Sequence, residues 1–107
     1  VAVVDFFSEH CVPCARLLPS IEALHRSKPD VVVLGVSEDD DEDGARRIVQ
    51  TYGLTFPVVH DAGHVLAGRF RVTDLPATFI VDAGGRVHWE GAGDGDGDVK
   101  AAVEGAR

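Results

Sequence analysis

The chain holds two cysteines, Cys11 and Cys14, and their separation is the most informative spacing in it. Two cysteines cannot make the multi-bridge framework of a small secreted scaffold. Downstream, Leu17, Leu18, Ile21 and Leu24 fall on one helical face, which predicts a helix over Val12 to Arg26 with Cys11 at its start. There the helix dipole and free backbone N–H groups favour thiolate over thiol and lower a cysteine pKa below its usual value of about 8.5. Each unit of lowering is worth roughly 1.4 kcal/mol of thiolate stabilisation. Cys14, one turn further in, is within disulfide reach of Cys11 and is expected to be more buried and less nucleophilic. Pro13 suits the first turn, where its missing N–H would have had no partner anyway.

Two ionisable residues flank this pair. Asp5 stands in the apolar run Val1 to Phe7. If buried there, its pKa rises and it becomes able to accept a proton near neutral pH; the alternative is a strand end in water. His10 directly precedes Cys11, so its imidazole either stabilises the thiolate or stands as an ordinary surface histidine.

The elements that position these groups follow from pattern. Val1 to Phe7 reads as a buried strand. Pro19 is expected to bend the first helix without ending it, because the apolar spacing continues beyond it. Lys28-Pro29-Asp30 stops that helix, and the apolar run Val31 to Val36 predicts a strand covered on both faces, hence a parallel βαβ unit. Glu38 to Asp43 reads as a solvated acidic run capping a second helix that carries Ala45, Ile48, Val49 and Tyr52, with Gly53 as its stop. A short strand over Phe56 to His60, a turn at Asp61-Ala62-Gly63 and a short helix over Val65 to Phe70 with Leu66 and Phe70 buried come next. Thr78 to Val81 and Arg86 to Trp89 predict an antiparallel hairpin across Ala83-Gly84-Gly85. A Gly-rich link, Gly91 to Gly97, leads to a last helix bearing Val99, Ala102, Val103 and Ala106.

At 107 residues, 45% apolar and 26% charged, the chain fits one core and one domain, residues 1–107. The net charge of −8 supplies no basic patch for phosphates, so nucleic acid is not an expected partner. No apolar run approaches the roughly 18 to 20 residues of a membrane span. A chain without Met that opens directly in strand-like sequence is expected to be a domain or processed product.

The stretch V-V-D-F-F-S-E-H-C-V-P-C-A-R-L-L-P, Val3 to Pro19, resembles the active-site segment of the thioredoxin superfamily, with Asp5, Pro19 and Leu75-Pro76 at matching places. The segment from Val36 to Leu75, with its T-F-P-V-V-H-D-A-G turn, resembles the insertion of TlpA/ResA-type redoxin domains. The likeness spans essentially the whole chain. It implies an α/β thioredoxin-like fold: a central mixed β-sheet, helices on both faces, and an αβ insertion between the second strand and a cis-proline loop at Leu75-Pro76. It further implies a thiol-disulfide oxidoreductase acting on protein disulfides, with Cys11 as nucleophile, Cys14 as resolving thiol and Asp5 as proton acceptor. Val12, Pro13, Leu75 and Pro76 would contact substrate. No cofactor or metal is implied; the expected partners are protein disulfides or dithiols and an upstream redox protein. The resemblance points to a monomer in an extracytoplasmic or membrane-tethered setting, with a cytoplasmic one as alternative. The chain departs from the family's usual pattern in carrying Phe7 and His10 where an aromatic pair is common, Val12 where glycine is common, and Asp5 where TlpA-type proteins carry Asn.

Other motifs compete less well. Cys11, Cys14, His60 and His64 have zinc-ligand spacings within each pair, but the 45 residues between the pairs exceed the usual finger spacing of about 12 to 15; both histidines read as parts of a solvated turn. Asp39, Asp41, Asp43 and Gly44 begin a calcium-loop pattern that fails at Gln50, and Asp94, Asp96 and Asp98 fail at Val99. A peroxiredoxin-like peroxidase would want Thr where Ser8 stands, and a non-catalytic binding module would have no use for an intact Cys11/Cys14 pair.

Overall fold

A computed structural model describes residues 1–92 and 96–107, without the side chains of Ala92 and Asp96. Ten elements follow in order: β1 (Ala2–Phe7), α1 (Val12–Ser27), β2 (Val32–Ser37), α2 (Glu42–Tyr52), β3 (Val58–His60), a 3₁₀ turn (Ala62–His64), α3 (Val65–Arg69), β4 (Ala77–Val81), β5 (Val87–Ala92) and α4 (Asp96–Ala106). The strands form one mixed sheet in the order β3-β2-β1-β4-β5. β1, β2 and β3 run parallel, whereas β4 pairs antiparallel with both β1 and β5.

Alternation along the central strands divides the core in two. Val3, Phe7, Val33 and Ile80 turn towards α1, α2 and α4, packing with Cys14, Leu17, Leu18, Ile21, Ile48 and Val103. Phe6, Val36, Ala77 and Phe79 turn to the opposite face, where Ala67 of α3 joins them. On that second face Phe70 lies 5.2 Å from Phe6 and 4.9 Å from Phe79 between ring centroids, tilted or edge-on as the ring quadrupoles prefer. Helices therefore cover both faces, and α2, β3 and α3 form the insertion between β2 and the Leu75-Pro76 loop.

Helix boundaries have local causes. α1 runs on through Pro19, as its apolar spacing requires. α2 starts where Asp41 accepts the Gly44 N–H and stops at Gly53, whose left-handed φ of 60° a glycine adopts freely.

Three expectations are corrected. The acidic run is not uniformly solvated: Asp39 is buried because Ser37 and the Glu9 backbone hold its carboxylate, and the Glu38 side chain is only 6% exposed beside His64. Leu66 and Phe70 are half-buried, and Ala67 takes the inner position, because a five-residue helix covers only one end of the sheet face. The link after the hairpin is shorter than Gly91 to Gly97, since β5 extends to Ala92 through pairing with Ala77 and α4 already begins at Asp96. The aspartate pattern at 94, 96 and 98 falls largely outside the described residues.

Candidate active site

Parallel pairing of β1, β2 and β3 brings their carboxyl ends to one edge of the sheet, and the antiparallel β4 brings its amino end there too. Ser8 to Cys11, Glu38 to Asp39, Asp61 to His64, and Leu75-Pro76 all emerge at this edge. Crevices beyond strand carboxyl ends are where open α/β sheets place their chemistry.

Cys11 is the N-cap of α1: its backbone is extended and its Sγ accepts the Cys14 N–H at 3.2 Å. Cys11 is half-buried, Cys14 is fully buried, and the two are joined as a disulfide with their Cα atoms 5.2 Å apart. The arrangement places a backbone N–H donor on the first sulfur and leaves its residue partly open to solvent, while the second cysteine is sealed in the core. Val12 stands 62% exposed beside the pair and Pro13 is half-buried at the first helical turn.

Asp5 is fully buried on β1, on the face that also carries Val3, Phe7 and, across the core, Cys14. Its Oδ1 accepts a hydrogen bond from Thr78 Oγ1 at 3.1 Å, whereas Oδ2 is buried without a partner. Burial pushes its pKa from 3.8 up to about 7, against a smaller opposing effect of the Thr78 hydroxyl. A carboxyl poised there exchanges a proton near neutrality.

The Leu75–Pro76 bond is cis. Pro76 is buried, and half-buried Leu75 packs against the same core cluster that holds Cys14 and receives Cys11. The fold thus brings Cys11, Cys14 and Leu75 to one cluster, with Asp5 on the neighbouring strand β1. His10 is directed outward with its side chain 89% exposed, 3.5 Å from Glu9. His60 Nε2 meets the Asp39 carbonyl oxygen at 2.9 Å, half-buried at the end of β3 and not in a solvated turn, and exposed His64 meets Glu38 at 2.6 Å. No group of three or more metal-ligating side chains occurs among the described residues.

Sequence reasoning missed four contributors. Thr78 is paired with Asp5 by the β1–β4 register, which no local motif announces. Glu9, Asp39 and Arg47 form a connected set behind the cysteines: Asp39 Oδ1 accepts the Glu9 N–H at 2.9 Å, and Arg47 Nε and Nη2 donate to the Glu9 carboxylate at 2.7 and 2.6 Å. The one available signal was an acidic residue two places before Cys11.

Comparison with known proteins agrees with this geometry. The thiol-disulfide oxidoreductase ResA of Geobacillus thermodenitrificans is 30% identical over 86 residues, covering 78% of this chain and 49% of its own length. ResA of Bacillus anthracis is 29% identical over 86 residues, covering 78% of this chain and 50% of its own. The chain thus spans about half the length of these curated relatives. Among solved structures, MTB DsbF in mixed oxidised and reduced forms matches with a TM-score of 0.92 and 25% identity, over 99% of this chain and 80% of that one. A secreted Mycobacterium tuberculosis disulfide oxidoreductase homologous to E. coli DsbE matches in fold with a TM-score of 0.88 at 24% identity, over 97% and 80% of the two chains. The fold is thioredoxin-like, and because the profile of the AhpC/TSA family matches residues 1–90, the chain belongs to the AhpC/TSA family.

Proposed function

We propose that the chain is a thiol-disulfide oxidoreductase that exchanges electrons with protein disulfides. The observation that carries this reading is the Cys11–Cys14 pair itself, with a half-buried cysteine capping α1 and a fully buried one a turn deeper. In the reduced protein, Cys11 thiolate attacks one sulfur of a substrate disulfide, forming a mixed disulfide and expelling the other substrate sulfur as thiolate. Cys14 gives its proton to Asp5 and attacks Cys11 Sγ. The substrate's second sulfur leaves as thiolate, two electrons have passed to the substrate, and the Cys11–Cys14 disulfide remains. A dithiol redox partner restores the reduced form by the same steps in reverse.

In this reading Val12, Pro13, Leu75 and Pro76 line the substrate path. An extended substrate segment pairs with the backbone beside Pro76. Residues 1–107 act as one thioredoxin-like unit and as a monomer. No helix among the described residues is long and apolar enough to cross a membrane. The secreted relative supports an extracytoplasmic setting for the exchange.

The test is an insulin-reduction assay with dithiothreitol as electron donor. Turbidity from released insulin chains should rise faster with the chain present and return to the background rate with Cys11→Ser. A rate equal to background with the unaltered chain would reduce it to a binding module.

A further inference from the structure

We propose that Arg47, carried by the insertion helix α2, is a positioning residue for the dithiol site: it clamps Glu9 in the loop that leads into Cys11 and neutralises the carboxylate two residues from the reactive sulfur. The inference rests on the oxidoreductase reading for its purpose, though not for its test.

The geometry is a fork on a carboxylate. Arg47 Nε and Nη2 each meet one Glu9 oxygen, at 2.7 and 2.6 Å, across 38 residues of sequence. Planar two-point pairing of this kind fixes direction as well as charge, which a lysine cannot do. The Glu9 side chain is 18% exposed, so its carboxylate is partly withdrawn from water. From below, Asp39 takes the Glu9 N–H at 2.9 Å and is itself held by Ser37 Oγ at 2.7 Å. Gly44 of α2 lies so close to Asp39 that a Cβ there would come within 2.6 Å of the Asp39 Cβ, which seats α2 directly on this buried group. The loop Ser8 to Cys11 is thereby tied to α2 at its backbone and at its side chain.

The titratable and charged groups facing the pair are His10 on the same loop, Asp39 from the end of β2, and Asp41 and Asp43 at the start of α2. Asp41 and Asp43 attract Arg47 but leave the fork on Glu9. Unpaired, Glu9 would place a full negative charge next to the Cys11 thiolate and oppose it.

The test follows Cys11 alone, with no disulfide substrate. The fully reduced chain is alkylated with iodoacetamide across pH 5 to 10, and modification at Cys11 is followed by mass spectrometry. Arg47→Gln should slow Cys11 alkylation at neutral pH about two- to threefold and move its midpoint upward, the size expected of an uncompensated like charge screened by water-like surroundings. Glu9→Gln/Arg47→Gln, which lacks the fork but also the opposing charge, should move the midpoint back toward that of the parent. Arg47→Lys, which keeps the charge and loses the fork, serves if the Gln variant fails to fold and should fall between parent and Arg47→Gln. An unchanged profile in Arg47→Gln, or a double variant that fails to recover, overturns the proposal. If the shift occurs but insulin is not reduced, the clamp stands and the oxidoreductase reading falls.

Discussion

Replacing Asp5 by Asn separates the cost of the buried carboxyl from its use. The group is fully buried with one oxygen unpartnered, and its pKa lies at about 7 in the folded chain against 3.8 in the reference state. The direction follows from linkage: the folded pKa is raised, so the stability associated with the neutral acid is complete below about pH 3.8 and is lost as pH rises through 7. A shift of about 3 units at roughly 1.4 kcal/mol each costs on the order of 4 kcal/mol once the group is fully ionised. Asn carries no charge and escapes this loss. Urea unfolding of the disulfide form at half-unit steps from pH 4 to 8.5 should therefore show Asp5→Asn close to the parent at pH 4 and more stable by about 2 to 4 kcal/mol at pH 8. Thr78→Val, which removes the hydroxyl that favours the anion, should push the same transition to higher pH. In the reduced protein Asp5→Asn should slow resolution of a mixed disulfide much more than its formation, because only resolution needs the Cys14 proton removed. A stability difference that stays constant from pH 4 to 8.5 would refute the reasoning, since it would mean that Asp5 binds its proton alike in the folded and unfolded chains and that burial does not raise its pKa.

Three further outcomes are expected. Cys14→Ala should trap a mixed disulfide through Cys11, visible by non-reducing electrophoresis, and capture through Cys14 in Cys11→Ala instead would reverse the assignment. Burial opposes ionisation of Glu22, but hydrogen bonds from Arg26, the Thr55 N–H and the Thr55 hydroxyl outweigh it and hold its pKa at about 2; Glu22→Gln should cost about 1 to 3 kcal/mol at pH 7, a deficit that shrinks as acid protonates the native carboxylate between about 4.5 and 2, as denaturant melts at both ends of that window would reveal. Gly44→Ala should lower stability by about 1 to 3 kcal/mol because the new methyl meets Asp39, with a thermal melt as the readout and Gly44→Ser, which adds the same clash, as the check.

The parts of the fold that sequence made legible are those where one residue has one physical use. A C-x-x-C pair followed by helix-spaced leucines could only place Cys11 at a helix start. An apolar run interrupted by a single Asp left burial or a strand end as the choices, and β1 in the middle of the sheet settles it as burial. Gly53 after an amphipathic segment marked the end of α2. What stayed hidden depends on residues far apart in sequence. Thr78 meets Asp5 only through the β1–β4 register, and Asp39 is buried only because Ser37 and Glu9 converge on it from two strand ends. A run of six acidic residues looks solvated by composition, yet its members differ: Asp41 caps a helix, Asp39 is structural, and Glu38 pairs with His64.

The two carboxylates nearest the dithiol in sequence are handled in opposite ways, and the contrast bears on how the site works. Asp5 is sealed in the core with one oxygen unpaired, so burial favours its neutral form and raises its pKa to about 7. Glu9 lies at the surface edge, where the Arg47 fork keeps it ionised and compensated, with its pKa held below the usual carboxylate range chiefly by that hydrogen-bonded pairing. Exchanging those environments would place a permanent charge beneath Cys14, where it could accept no proton, and an uncompensated charge beside Cys11, where it would oppose the thiolate. The insertion that supplies α2 therefore does more than lengthen the chain between β2 and Pro76: it supplies the cation that lets an acidic loop lead into a thiolate, in a chain whose net charge of −8 would otherwise disfavour one.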